Sequence, residues 1–339
     1  MNDLSEFYSK NVSKYKIVAN KIEGLIKELI DNENIQILSV NSRVKNLSSY
    51  LKKAQRYKNP KEEVMDYIGI RIITYVLNDM EKVSNIIKKE FDIDEDNSID
   101  KSIKLGNDKM GYRSMHFIAS INEKRESLAE YSICRDCFFE IQIRTIFQHS
   151  WAEIEHDKNY KYSGILPDGI KRRLNLLSAV LESVDNEFNT ISMEIDNYVK
   201  NVSIEIEKNN LNNIELNSAS LKEFITNKYS KYNLYKNLVN TRSEVKIINE
   251  LKSFGIIDLK GIEDIMEQKN IDEIFDIEYE MNIVGFFRIF MMLNDAEKYF
   301  KYCYDKSWSG LPSNAKIFFS KFNPRVLDII KNYDINIPD

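Results

Sequence analysis

Histidine is scarce in this chain, with only His116, His149 and His156 in 339 residues. Metal-dependent hydrolase centres of the His–Asp type need several histidines and aspartates as ligands. No histidine precedes His116, and the His156–Asp157 pair lies in a segment with helical spacing rather than in a ligand cluster. The sequence therefore predicts that no hydrolase centre of this type is present.

Cysteine is equally scarce, with only Cys134, Cys137 and Cys303. The first two form a C-x-x-C pair, but a structural zinc site needs about four ligands and no second pair follows. We therefore predict a reduced turn in front of a strand. The pair gives no reason to expect a zinc protein.

Long apolar runs and a strong net charge are also absent. No run approaches the roughly 18 apolar residues of a membrane span, and the first four residues lack the basic-then-apolar order of a signal sequence. The net charge of −5 does not indicate binding to nucleic acid or membranes over the whole surface, although local basic patches leave RNA contacts open. These absences predict a cytoplasmic protein without membrane association.

The most informative segment that is present is Phe139–Thr145, which alternates apolar and polar residues as a β-strand does. The alternation places Glu140, Gln142 and Arg144 on one face. A carboxylate, an amide and a guanidinium side by side can hold a divalent metal, fix a base or ribose, and contact a phosphate. The segment therefore indicates nucleotide chemistry, with an antiparallel strand and a solvated outer face as the alternative.

Other polar segments precede and follow this strand. Residues 66 to 71 (DYIGIR) read as a strand with a carboxylate at one end, and residues 109 to 116 (KMGYRSMH) as a tight turn at Gly111. The stretch from residue 43 to residue 61 contains seven basic residues and no acid. Such a run is typical of a solvated helix face, but beside the other segments it favours a grip on a triphosphate. A helical segment containing WAEIEHD and then YKY follows the strand.

In order and approximate spacing, these five segments resemble the synthetase domain of the RelA/SpoT family, the nucleotide pyrophosphokinases that make guanosine tetra- and pentaphosphate. The resemblance covers about residues 20 to 165. It implies an α+β fold with a mixed five-stranded, nucleotidyltransferase-like sheet flanked by helices. It also implies Mg²⁺ as the cofactor, and ATP and GTP or GDP as substrates.

The resemblance assigns roles position by position. Asp66 and Glu140 match the two carboxylates that hold magnesium, Glu140 also matches a group that helps to take the acceptor proton, and Tyr112 matches the ring that stacks on guanine. The expected catalytic residues are Asp66, Glu140 and Arg71. The expected ATP-binding residues are Arg43, Lys45, Ser49, Lys53 and Arg71. The expected acceptor-binding residues are Lys109, Tyr112, His116, Gln142 and Arg144, together with Lys104, which like Lys101 is an alternative to Lys109 for the phosphate contact because the loop departs from the family pattern. Tyr160 and Lys161 match a closing Y-K pair.

Two departures from the family pattern concern the acceptor. The common P-K-x-N-G-Y loop reads here as NDKMGY, without the proline or the asparagine, and Gln148-His149 replaces the usual M-N or M-D. We expect a (p)ppGpp synthetase that transfers pyrophosphate from ATP to the 3′-hydroxyl of GTP or GDP, releases AMP, and has no hydrolase activity. A toxic small synthetase that modifies the 3′ end of tRNA or makes adenosine alarmones is one alternative. A non-enzymatic nucleotide-sensing module is another.

The resemblance and the periodicity together predict three parts: a synthetase domain (residues 1–165) from the resemblance, then a long heptad-patterned helix (166–205) and an all-α C-terminal domain (206–339) that could bind a regulatory protein. In the first part an acidic loop is predicted at 92–100. From Ile170 to Tyr198 the apolar residues alternate at spacings of four and three, which gives one continuous seam. We favour packing of this seam within the chain, and homo-oligomerisation through it is the alternative. A capping box is predicted at 218–223, after an Asn-rich linker.

Overall fold

The computed structural model describes residues 2–100, 114–161, 167–230, 241–266, 271–272, 282–311, 314–333 and 335–337. The chain divides into two compact units, Met1–Met193 and Glu194–Asp339. This boundary lies within a long helix, so the predicted three-part division remains a prediction. Within the described ranges, no helix is both long and apolar enough to cross a membrane.

The first unit contains a five-stranded mixed sheet, as predicted. Its strands are β1 (Ile37–Val44), β2 (Ile68–Thr74), β3 (Phe91–Asp100), β4 (Met115–Ile121) and β5 (Phe139–Thr145). Their order is β1-β2-β5-β4-β3, with β2 and β5 parallel and the other neighbours antiparallel. β2 and β5 are interior strands, and alternate residues of each are buried: Ile68, Ile70 and Ile72 on β2, and Phe139, Ile141 and Ile143 on β5.

Helices cover one face of this sheet. The helices of the unit are α1 (Asn2–Asn32), α2 (Leu47–Ala54), α3 (Pro60–Glu63), α4 (Leu77–Glu90), α5 (Glu123–Glu126) and α6 (Ile146–Lys161). Apolar residues at helical spacing on α1 and α4 pack in one core with the alternate residues of β2 and β5. That core includes Val18, Ile22, Ile26, Val83, Ile87, Ile70 and Ile141. The polar residues of β2 and β5 therefore project from the opposite face.

The acidic loop predicted at residues 92–100 is wrong, because this segment is strand β3 at the edge of the sheet. It pairs with β4, and the register shifts between Asp94 and Ile99. Asp94 accepts hydrogen bonds from the backbone and side-chain amide of Asn97 across this irregularity. Edge strands are commonly charged and irregular, so the acidic composition hid a strand that lacks regular apolar alternation.

The long helix α7 (Asp168–Glu207) extends beyond the predicted seam at both ends. Several seam residues are exposed, among them Phe188 at 49%, Ile191 at 42% and Ile195 at 55%. The buried positions of this stretch are instead Ser178 and Asp185, which lie on an adjacent side of the helix. Packing of the seam within the chain is therefore incomplete: the Phe188 ring stacks on Phe147, whereas Ile191 and Ile195 remain 42% and 55% exposed.

The second unit is helical in its described parts, as predicted. Its helices are α8 (Ser218–Tyr229), α9 (Thr241–Ser253), α10 (Leu259–Ile265), α11 (Ile283–Tyr302), α12 (Asn314–Phe322) and α13 (Arg325–Lys331). Phe318 and Phe319 of α12 are fully buried in its core.

The predicted capping box at 218–223 used the wrong residues. Asn217 is the N-cap of α8, and its side chain accepts from the Ser220 amide, while the Ser220 hydroxyl accepts from the Asn217 amide. The reciprocal bonds are those of a capping box with Asn217 as the N-cap and Ser220 as N3, three residues before the Ser220–Glu223 pair that fits the sequence pattern. The helix start was predicted correctly because asparagine satisfies the same free amides as serine.

Candidate active site

The register of the sheet brings polar side chains from four strands to one face. Gly69 on β2 lies between Arg43 on β1 and Glu140 on β5. In the next row of that face, Arg71 lies opposite Gln142, which pairs in turn with His116 on β4. Residues two apart on a strand share a face, so these two rows form one continuous polar surface.

Asp66 lies just before β2 and is held by two lysines. Its Oδ2 atom accepts from Lys45 Nζ at 2.5 Å and from Lys53 Nζ at 2.6 Å. Its Oδ1 atom is buried and has no hydrogen-bond partner in the described structure. A carboxylate with one anchored oxygen and one unsatisfied oxygen fits a hard cation, because Mg²⁺ binds through oxygen ligands.

Glu140 is the second carboxylate of this face, and both of its oxygens are anchored. His116 Nδ1 donates to Oε1 at 2.9 Å, and Gln142 Nε2 donates to Oε2 at 2.8 Å. The other ring nitrogen of His116 is hydrogen-bonded with the Ser114 hydroxyl at 2.8 Å. Burial acts to raise the pKa of Glu140, but the hydrogen bond and charge of His116 and the Gln142 amide outweigh it and lower the pKa to about 2. The carboxylate is therefore ionised at neutral pH.

Three arginines extend from the same face: Arg43 on β1, Arg71 on β2 and Arg144 on β5. Arg71 Nη1 donates to Glu153 Oε1 on α6 at 2.8 Å. Arg144 is largely buried, and its Nε has no hydrogen-bond partner within the described ranges. Burial, reinforced by the positive charge of Arg71, lowers the pKa of Arg144. A buried guanidinium with an unsatisfied donor is suited to a phosphate or carboxylate oxygen.

Two cavities lie along this surface. The first, of about 320 Å³, has both carboxylates in its wall; it is lined by Arg43, Val44, Lys45, Asn46, Ser49, Asp66, Gly69 and Glu140. The second, of about 240 Å³, is lined by Asn41, Ser42, Arg43, Gly69, Ile70, Arg71, Ile73, Gln142 and His149. Arg43 and Gly69 belong to both. A Cβ atom at Gly69 would lie 3.5 Å from Arg43 Cγ and Nε, so glycine leaves the floor between the cavities open.

The structure brings most of the expected site residues together. Arg43, Lys45, Ser49, Asp66 and Glu140 share the first cavity, and Lys53 reaches it through Asp66. Arg71 and Gln142 line the second cavity, while His116 contacts Glu140. Lys104, Lys109 and Tyr112 lie outside the described residues, as do the side chains of Tyr160 and Lys161. Among the residues that the structure describes, here or elsewhere, no group of three or more His, Cys, Asp or Glu side chains could hold a metal ion, so this face offers the carboxylates of Asp66 and Glu140.

His149 and Glu153 are site neighbours that were not expected from the sequence. They lie one helical turn apart on α6, with His149 Nδ1 3.8 Å from Glu153 Oε1. Burial lowers the pKa of His149, and the charge of Arg71 adds to this effect. The sequence did contain one indication of their position. His149 and Glu153 are four residues apart in the helix that follows β5, so both lie on the same side of α6, the side that meets Arg71.

Comparison with known proteins agrees with these motifs. A model of the region found in RelA and SpoT proteins matches residues 42–165. The GTP pyrophosphokinase YjbM of Bacillus subtilis (strain 168) is 31% identical over 194 residues, which cover 56% of this chain and 86% of that protein. The GTP pyrophosphokinase YwaC of the same organism is 29% identical over 166 residues, covering 46% and 73% of the two chains.

Solved structures show the same kind of relationship. Small alarmone synthetase 1 from Bacillus subtilis matches with 28% identity and a TM-score of 0.48, covering 56% of this chain and 98% of that one. The same synthetase bound to its product pppGpp matches with 29% identity and a TM-score of 0.46, covering 55% and 97%. From its motifs and from its identity to YjbM over most of that relative, the chain belongs to the RelA/SpoT family.

Proposed function

We propose that this protein is a pyrophosphokinase that transfers pyrophosphate from ATP to the 3′-hydroxyl of GTP or GDP. The observation that carries the proposal is the first cavity, where Asp66 and Glu140 meet Arg43 and Lys45. The reaction forms a bond between the 3′-oxygen and the β-phosphorus of ATP and breaks the α–β phosphoanhydride bond, so AMP leaves. Charge develops on phosphate oxygens, and cations beside them lower the barrier.

Asp66 and Glu140 would hold the Mg²⁺ ion of this site. The unsatisfied Oδ1 of Asp66 and the ionised carboxylate of Glu140 supply two oxygen donors, and water and phosphate oxygens would supply the rest. When bound, Mg²⁺ neutralises charge on the phosphates. His116 and Gln142 hold the Glu140 carboxylate in one orientation, in which it can accept the proton of the acceptor hydroxyl.

Lysines and arginines form the part of the site that would bind ATP, the pyrophosphate donor. Lys45 and Lys53 reach Asp66 and would also meet the phosphates of ATP, because both ammonium groups line or border the first cavity. Arg43 lies between the two cavities and can contact a ligand in either.

A labelling experiment tests the proposal. Purified full-length protein is incubated with Mg²⁺, γ-³²P-ATP, and GDP, GTP, ATP or total tRNA in separate reactions, and the products are separated by chromatography. We expect label in a guanosine nucleotide and one AMP released per labelled product. Label on RNA or on an adenosine nucleotide would replace the guanosine acceptor with one of the two alternatives. Nucleotide binding without any AMP release would contradict the proposal and favour a sensing module.

We also infer, from the small number of histidines, that the protein has no hydrolase activity. Guanosine tetraphosphate, a product of the proposed reaction, is the substrate for testing this. Purified guanosine tetraphosphate incubated with the protein and either Mn²⁺ or Mg²⁺ should remain intact. Release of pyrophosphate and GDP would contradict this inference. A role of the helical unit in binding a regulatory protein remains a prediction.

We infer that the exposed seam of α7 binds a second copy of the chain. The seam is continuous from Ile170 to Tyr198 and repeats at heptad spacing, which suits a matching helix. Light scattering should therefore give at least twice the chain mass, and Ile191→Glu should reduce it to the chain mass. Asn186→Glu, at an exposed position of the same helix off the seam, is the matched control. A monomeric wild-type protein would exclude the second copy.

A further inference from the structure

Asp185 is a buried carboxylate on α7 that the proposed reaction does not use. It is only 2% exposed, and its Oδ2 accepts from the Thr145 hydroxyl at 2.6 Å. Burial raises the pKa of Asp185, while the Thr145 hydrogen bond acts in the opposite direction. Buried carboxylates are costly unless they are hydrogen-bonded, so this contact calls for an explanation.

Thr145 is the last residue of β5 and begins a capping box for α6. Its hydroxyl accepts from the Gln148 amide at 3.2 Å, and Gln148 Oε1 accepts from the Thr145 amide at 3.2 Å. Both residues are buried, at 0% and 4% exposure. Since the Thr145 hydroxyl donates its proton to Asp185, the carboxylate fixes the orientation in which this hydroxyl caps the helix. A negative charge at a helix N-terminus is also favoured by the helix dipole.

Two further contacts hold α7 against this junction. The Phe188 ring stacks on Phe147 with centroids 5.5 Å apart. The Asn189 side chain accepts from the Asn78 amide at 2.7 Å, at the start of α4. The contacts of Asp185, Phe188 and Asn189 fall on successive turns of α7, so this stretch of the helix is fixed relative to the sheet.

The junction carries groups of the nucleotide site on both sides. Arg144 directly precedes Thr145, and α6 presents His149 to the second cavity and Glu153 to Arg71. A change in the direction of α6 would therefore displace Glu153 and Arg71 together. Displacements of about 1 Å are enough to lower the rate of a positioned reaction strongly.

We propose that Asp185 is a positioning residue for pyrophosphate transfer, acting through the Thr145–Gln148 capping box on Arg144, His149 and Glu153. The inference rests on the proposed function, because the groups it places are those of the nucleotide site. It makes α7 a working part of the catalytic unit.

Two substitutions test the contact from its two ends. Thr145→Val removes the hydroxyl and Asp185→Asn removes the charge, and each should lower kcat/KM for ATP by about tenfold or more. Thr145→Ser keeps the hydroxyl and should stay within about twofold of the wild type. The matched controls are Thr190→Val and Glu187→Gln, exposed positions of the same helix, which should have no effect.

The fraction of folded protein, measured by circular dichroism, separates positioning from a merely structural role. Activity that falls only in proportion to the folded fraction would overturn the proposal, as would wild-type activity in both Thr145→Val and Asp185→Asn. If Asp185→Asn does not fold, Thr145→Val and Thr145→Ser decide the question by themselves. The double variant should be no worse than the more impaired single variant, because both remove one contact.

Hydrogen exchange distinguishes failure of this inference from failure of the proposed function. In the unliganded full chain, the Gln148 amide should exchange faster in Thr145→Val than in the wild type or in Thr190→Val, whatever reaction the protein catalyses. Unchanged exchange would overturn the inference even in an active enzyme. If the wild type transfers no pyrophosphate, the proposed function fails. In that case a loss of affinity for AMPCPP in Thr145→Val supports the positioning role, and unchanged affinity overturns it.

Discussion

Glu140→Gln is expected to lower kcat for pyrophosphate transfer by about 10³-fold or more, because one change removes a metal-binding oxygen and a proton acceptor. Gln142 and His116 would still meet the side chain, so the fold should be retained. The measurement is AMP release at saturating ATP and acceptor. Glu81→Gln, at an exposed position on α4, is the matched control and should behave as the wild type. A Glu140→Gln enzyme with more than about one tenth of the wild-type activity would remove Glu140 from the mechanism.

The pH dependence of stability provides a second check on Glu140. Its pKa is about 2 in the folded protein against an ordinary value of 4.5. Because the folded value is the lower one, this group contributes stability fully above about pH 4.5 and loses it as the pH falls towards 2. Glu140→Gln should therefore flatten the acid loss of stability in that window. Between pH 5 and 8 the activity should show no step that belongs to Glu140.

Glu250→Ala is expected to destabilise the helical unit by about 3–5 kcal/mol, because it leaves a buried arginine without its partner. Glu250 is 6% exposed and forms a two-bond ion pair with Arg288, whose guanidinium lies 5.3 Å from the centre of the Trp308 ring. Urea unfolding followed by tryptophan fluorescence measures the loss. Since the chain has two tryptophans, one in each unit, a Trp151→Phe background assigns the signal to Trp308.

The control for Glu250 is the exposed pair of Glu297 and Arg325, with side chains 66% and 76% exposed. Glu297→Ala should change stability by about 1 kcal/mol or less, since solvent screens such pairs. Replacing Glu250 and Arg288 together by leucine and methionine should recover much of the loss. If the Glu250 and Glu297 variants unfold at the same urea concentration, the buried pair does not stabilise this unit.

The sheet and the first cavity could be predicted because their signals are local in sequence. Strand β5 alternates apolar and polar residues, and Asp66 and Gly69 lie within one short motif. Parallel pairing of β2 with β5 then brings Glu140 beside Gly69. Each of these inferences needed only strand periodicity and the order of motifs that the family shares.

The remaining features depend on contacts between distant residues. Asp185 meets Thr145 across 40 positions, and Glu250 meets Arg288 across 38. The residues around Asp185 and Glu250 in the sequence resemble those around exposed carboxylates on helices, so they give no sign that these two side chains are buried. The heptad pattern of α7 likewise identified an apolar side, but periodicity does not say whether that side faces the same chain. Strand β3 was missed because its pairing with β4, rather than its composition, makes it a strand.

The pairing register of β1 with β2 decides which side chains of β1 face the candidate active site. The Lys45 amide donates to the Tyr67 carbonyl at 2.9 Å. This hydrogen bond fixes the register of β1 against β2 close to Arg43. A slip of one residue would turn Arg43 into the apolar layer and bring Val44 out in its place. An insertion or deletion of one residue within β1 would therefore turn Arg43 away from the proposed phosphate site without unfolding the sheet.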